Sequence, residues 1–244
     1  MAAPGAPVGV VITAVKGGVR IQIASAGLET HHYEIFQSIS DKYWKYNYPA
    51  AHRVVVGGVQ YLRIATSTYL TGLDRTDQTC EAGIAYTYFV RAIGNDLVSY
   101  TDSAPTTVAC VLESTWLTPF ISAVGAVIPV NSEFRWPETG LSESPDRENI
   151  DLLFAGREYP VTDFGIHKES NFGVTLDLPA GEFAAGYGDE AVLRGYALDG
   201  TMLVFRDKRG RKAYGRIAGL KFADSKYGKN ATFTFKSLDI SGAS

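Results

Sequence analysis

A chain of 244 residues, 45% hydrophobic, 20% charged and 12% aromatic, has the composition of a folded protein and not of a disordered one. Its 23 basic and 26 acidic side chains leave a net charge of −3, which excludes a globally basic nucleic-acid binder and an acidic tail protein. No apolar run approaches the ~20 residues that cross a bilayer, so no membrane insertion is expected. The start Met1-Ala-Ala-Pro-Gly-Ala-Pro lacks the basic and apolar regions of a secretory signal. Two cysteines, Cys80 and Cys110, make neither a disulfide framework nor a four-thiolate metal site.

Alternating runs separated by turn residues predict β structure from end to end. Pro7–Val15 reads as a strand and Lys16-Gly17-Gly18 as a tight turn, where glycine takes positive φ without penalty. In Val19–Ala24 the period of two places Val19, Ile21 and Ile23 on one face. Strands follow at His32–Phe36, Val54–Val56 and Tyr61–Ala65. In Gly83–Ala92, Tyr86, Tyr88, Val90 and Ala92 share a face. A tyrosine entering a strand just after a turn buries its ring in a sandwich core while its hydroxyl bonds the turn backbone. Ser99–Pro105 is expected as a turn and Thr106–Val111 as a closing strand. Gly83-x-x-Tyr86-x-x-x-Val90-x-Ala92, followed by Ser99 and Ser103-Ala-Pro105, resembles the last two strands of fibronectin type III domains. The resemblance covers residues 6–112 and departs from the family at its early tryptophan, a space left here to Ile21 or Ile23. It implies a β-sandwich over residues 1–112 and no particular activity.

Residues 113–150 change character, with Trp116-Leu-Thr-Pro119, Pro129 and Trp136-Pro137 and a polar stretch from Glu138 to Glu148. They are expected as a linker. Trp116, Phe120, Phe134 and Trp136 are too apolar for a free tether, so the linker should lie along its own chain or a neighbour. Residues 151–244 are expected as a small barrel or split barrel with one helix. A hairpin is read around Ala155-Gly156, and an alternating strand over Phe172–Leu178. The helix falls within Asp189–Leu198, with Leu193, Tyr196 and Ala197 on one face and Asp199-Gly200 closing it. Strands at Thr201–Arg206, Ala213–Phe222 and Ala231–Asp239 complete the unit. The fold class is therefore mainly β: a sandwich, a linker and a small split-barrel domain.

No catalytic constellation stands out, and neither enzyme activity, cofactor nor metal is expected. His31 and His32, adjacent in a strand, should point to opposite faces and so not ligate one metal. The cysteines read best as two packed free thiols, with a disulfide geometrically open. There is no Gly-x-Ser-x-Gly elbow and no phosphate-binding glycine pattern. Two clusters rise above this background. Tyr43, Trp44, Tyr46 and Tyr48 put four rings in six positions, which suits a subunit contact or a sugar-binding surface, against the plainer reading of a minicore under a loop. Arg206, Lys208, Arg209, Arg211 and Lys212 put five positive charges in seven positions. Asp207 interrupts them, and the 13 basic residues from 151 onward meet 12 acidic ones. A solvated hairpin tip with Gly210 at positive φ, or arginines pairing with an adjacent copy, fits better than nucleic-acid binding. No sequence-specific nucleic-acid binding is expected.

Leu152–Phe164, Val204–Ile217 with its Arg-Asp-x-Arg-Gly-Arg hairpin, and Ala231–Asp239, preceded by a fibronectin-like domain and a Trp-Leu-x-Pro linker, look like a pattern in minor tail proteins of long-tailed actinobacterial phages. The resemblance implies a virion structural protein of the tail tip or baseplate, made in the host cytoplasm and non-enzymatic. Its C-terminal unit would be similar to the split barrels of distal tail and hub proteins. It also implies a ring of copies, six favoured and three second, because one barrel-sized unit is present per chain. The partners would be other tail proteins (tube, hub, tape measure). Trp116 and Trp136, with the two clusters above, are the interface or ligand candidates. The competing reading is a binding module that presents Trp44 and its tyrosines to a cell-wall glycan.

Overall fold

The structure is a computed structural model that describes residues 3–25, 27–39, 53–68, 70–120, 124–125, 132–135, 141–152 and 161–237. It is mainly β, with three antiparallel sheets and one α-helix among the described residues.

The first strands are β1 (Val11–Val15), β2 (Gly18–Ile23), β3 (Thr30–Ser38), β4 (Arg53–Val56), β5 (Val59–Ser67), β6 (Leu73–Asp77), β7 (Ala85–Gly94), β8 (Tyr100–Asp102) and β9 (Thr106–Ala109). β1 and β2 form a hairpin over Lys16-Gly17, with Gly17 at φ 82° and Val15 opposite Gly18. They pair onward to β6. A second sheet runs β4-β5-β3-β7-β8, with β9 also on β7. One core lies between the sheets. Val19, Ile21 and Ile23 from one side meet Tyr33, Ile35, Tyr86, Tyr88, Val90 and Ala92 from the other, all buried. Ile21 and Ile23 are both among the most deeply buried residues of this core. The Tyr86 hydroxyl accepts the Glu81 backbone N–H at 3.4 Å, so the tyrosine expected to bond the preceding turn does so. Tyr88 donates to buried Asp77 at 2.7 Å. The same carboxylate accepts from Gln37 at 2.8 Å and from the backbone and hydroxyl of Thr79, which satisfies its burial. Two details differ from expectation. Tyr100–Asp102 inside the expected turn is a short strand, and β1 begins only at Val11, with Val8 holding an isolated bridge to Ser25.

The chain then crosses. β10 (Thr115–Pro119), β11 (Val124–Gly125) and β12 (Glu133–Phe134) come from the segment expected to be a linker. β10 and β12 join the third sheet while β11 pairs with β6 of the first. Next come β13 (Leu141–Leu152), β14 (Val161–Pro179), a 3₁₀ turn at Gly181–Ala184, α1 (Glu190–Leu198), β15 (Leu203–Arg206), β16 (Lys212–Ser225) and β17 (Gly228–Ser237). The polar stretch 141–148 is thus strand and not tether. It forms the sheet's outer edge, where a strand rich in charge and serine discourages stray pairing. The Ala155-Gly156 turn lies outside the described residues, although the strands flanking it pair as a hairpin, Leu152 opposite Val161.

The third sheet runs β12-β10-β15-β16-β17-β14-β13. An isolated antiparallel bridge, Arg135–Asp177, brings the β12 end back to β14. The sheet therefore curls around one core of Leu117, Phe134, Phe172, Leu176, Phe205, Phe235 and their neighbours. Helix α1 plugs it with fully buried Leu193, flanked by Tyr196 and Ala197. The Asp189 side chain caps the helix by accepting the Val192 N–H at 2.9 Å, and Gly200 at φ 59° follows its end.

Candidate functional site

Of the residues singled out by their chemistry, Trp116 and Arg206 meet at the seam between sandwich and curled sheet. Strand alternation builds it. In β10, Leu117 turns into the curled sheet's core, while its neighbour Trp116 turns the other way and joins the sandwich core. In β15, Phe205 lies opposite Leu117 and Arg206 opposite Trp116. A buried strand residue on each face marks a layer covered on both sides, and Thr115 through Thr118 are all buried.

Arg206 is fully buried. Its Nη1 donates to Cys80 O at 3.2 Å and its Nη2 to Gly17 O at 2.9 Å, and its guanidinium carbon sits 6.0 Å from the Trp116 ring centroid. The charge is met by carbonyls and an aromatic face, which a planar fork donor suits better than an ammonium. Gly17 is required twice. It sits at positive φ, and a Cβ there would fall 2.5 Å from Cη2 of Trp116.

The solvated-tip reading of the basic hairpin therefore needs correction at its base. Arg206 and Asp207 are both fully buried. Asp207 organises the turn, its Oδ1 accepting the N–H groups of Arg209 at 2.8 Å and Arg211 at 2.9 Å, its Oδ2 accepting Arg211 Nε at 2.6 Å. Gly210 has the expected positive φ, 78°, but faces the sandwich: a Cβ there would lie 2.8 Å from Ala82 O. Lys208 and Arg209 alone are exposed. Lys212 is half-buried, its Nζ 5.4 Å from the Tyr214 ring centroid.

A second clasp closes the seam. Lys16, on the β1–β2 turn, donates to the nearly buried Glu133 of β12 at 2.7 Å, and this bond holds the Lys16 ammonium above its ordinary range. Tyr187 lies under both Lys16 and Arg135, at 5.3 and 4.8 Å. Sequence reasoning missed Asp77 and Glu133. It read Gly17 as a turn and Cys80 as a packed free thiol, which both are, but not as contacts of the seam.

The histidine expectation is also corrected. A bulge between Thr30 and His32 breaks the alternation, so the Nδ1 atoms of His31 and His32 approach to 2.9 Å instead of facing apart. Among the described residues no group of three or more metal-ligating side chains forms.

Tyr43, Trp44, Tyr46, Tyr48 and Trp136 lie outside the described residues. The strands bracketing the aromatic cluster are described, however. β3 ends at Ser38, whose hydroxyl accepts the Thr87 N–H at 2.8 Å, and β4 starts at Arg53 opposite Leu62. Ser38 thus sits beside the start of β7, whereas β4 is the edge strand of the same sheet, separated from β7 by β5 and β3. No family model matches the chain, and no curated protein matches it.

Proposed function

We propose that this chain is a structural protein of a phage tail tip or baseplate. It assembles with copies of itself into a ring, six copies favoured and three second, that continues or caps the tail tube and joins it to distal components. In this reading residues 1–112 are a fibronectin type III-like sandwich and the curled sheet is a split-barrel tail domain. The observation that supports it best is what the resembling motifs do. Trp116 of Trp-Leu-x-Pro and Arg206 of Arg-Asp-x-Arg-Gly-Arg seat one unit on the other through buried contacts, while Asp207 folds the hairpin turn behind Arg206. A component that transmits load along a tail needs such a joint more than a tethered adhesive module does. Exposed Lys208 and Arg209 remain for an acidic face of a neighbouring copy.

Negative-stain imaging of the full-length protein, with molar mass from the same sample, tests the proposal. A closed ring with a central opening is expected, and its symmetry decides between six and three. The protein's absence from purified virions, or its presence there as isolated decorations, would refute it.

The alternative is glycan binding through the aromatic cluster. Trp44→Ala with Tyr46→Ala separates the two readings. The pair should impair ring formation and leave cell-wall retention unchanged; loss of retention with intact rings would favour the binding module.

A further inference from the structure

The chain's two cysteines lie beside the Arg206 seat. After Cys80 the backbone reverses in a turn, where the Ile84 N–H donates to Glu81 O at 3.4 Å and Gly83 takes φ 77°. Cys110 extends the β7–β9 ladder by one residue against that turn. Its N–H donates to Ile84 O at 3.1 Å and its carbonyl accepts the Gly83 N–H at 2.9 Å. Ladder and turn together set the two fully buried thiols side by side in one core. Cys80 Sγ also meets Asp77 O at 3.7 Å and Arg206 Nη1 at 3.9 Å.

The two sulfurs are not equivalent. The hydrogen bond from Cys80 holds the Cys110 thiol below its ordinary range, and the Arg206 and Lys212 charges act in the same direction. Burial pushes the Cys80 thiol well up. Cys110 is thus the more readily deprotonated of the two thiols. Access comes from β9, a four-residue strand bonded to β7 alone, with exposed Val111 just beyond Cys110. Short peripheral strands open locally at far lower cost than cores.

We propose that Cys80 and Cys110 form an oxidisable pair that closes into an intrachain disulfide on exposure to a peroxide. The Cys110 thiolate attacks one peroxide oxygen and the O–O bond breaks. The departing hydroxide takes up the proton Cys110 released, giving water and a sulfenic acid. The Cys80 sulfur then attacks the sulfenic sulfur; the S–S bond forms, the S–O bond breaks, and the leaving hydroxyl takes the Cys80 proton as a second water. Two thiols lose two electrons and one peroxide is reduced to two waters. The new bond ties the exit of β9, which leads into β10, to the turn that receives Arg206, and so staples the seam.

The test treats the native full-length chain with hydrogen peroxide, quenches it, unfolds it, and measures free thiols and intact mass. Both thiols should disappear together, with a mass loss of about 2 Da that a reductant restores and a peptide map joining residues 80 and 110 within one chain. In Cys80→Ser, Cys110 should stop at the sulfenic acid and be trapped by a 1,3-dione probe. Two titratable thiols remaining after treatment would overturn the proposal. So would separate oxygen additions without a cross-link, or bonds between chains. The wild-type mass readout holds even where a variant fails to fold.

Discussion

Replacing Arg206 with methionine keeps most of the buried volume and removes both donors from the seam. The two bonds lost, to Cys80 O at 3.2 Å and Gly17 O at 2.9 Å, are charge-assisted and closed to water. Such bonds contribute about 1.5–3 kcal/mol each, and the carbonyls left behind have no solvent to turn to. The desolvation cost of the buried guanidinium disappears at the same time, which offsets part of the loss. A destabilisation of about 2–4 kcal/mol is expected on this balance. Arg206→Lys should cost about half of that, because an ammonium on a flexible stem reaches one carbonyl but not both. Urea unfolding followed in parallel by tryptophan fluorescence and far-ultraviolet circular dichroism is the assay. In a Trp44→Phe, Trp136→Phe background Trp116 alone reports the seam, so the two probes should coincide with Arg206 present and separate in Arg206→Met as the units uncouple. A loss below about 1 kcal/mol with coincident transitions would refute the account of the seam.

Gly17→Ala should cost about 2–4 kcal/mol, combining strained backbone with displacement of the Trp116 ring. Gly57→Ala is its control, since Gly57 has similar φ and nothing within 4 Å, and should lose only about 1 kcal/mol by thermal unfolding. Lys16→Met leaves Glu133 buried without its partner. Because the lysine is 59% exposed, the loss should be about 1 kcal/mol and shrink in high salt, as read by denaturation at two ionic strengths. Burial lowers the His32 pKa, so the unfolded chain takes up a proton more readily than the folded one. Stability from this residue is therefore complete above about pH 6.5 and declines as the pH falls below it. His32→Gln should flatten that part of a stability–pH curve, and an unchanged slope would count against it.

What was legible in the sequence followed from local rules. The two-residue period exposed the faces of Val19–Ile23, Gly83–Ala92 and Phe172–Leu178, and an acidic cap with a closing glycine marked α1 within a residue. Arg206 was not legible because its partners lie 126 and 189 positions away, and five charges in seven positions look the same whether their base is buried or wet. The faint signal was the unbroken apolar run Leu203-Val-Phe205 leading into it, which is typical of a strand covered on both sides. The 113–150 segment misled for the opposite reason. β13 is polar because it is an edge, and polarity alone does not separate an edge strand from a tether. The histidine pair failed at a bulge, which alternation cannot foresee.

The path from β10 to β12 has a mechanical consequence. The chain enters the curled sheet at β10, returns to the sandwich to pair β11 with β6, and re-enters the curled sheet at β12. Three passages of backbone, and not one, link the two bodies. Tension applied at the two termini is shared between these strands and the side-chain clasps around them. Cutting the gene after residue 112 would not release a finished module: it would strip β6 of its neighbour at Thr76 and Asp77 and bare an edge ready to pair with another molecule.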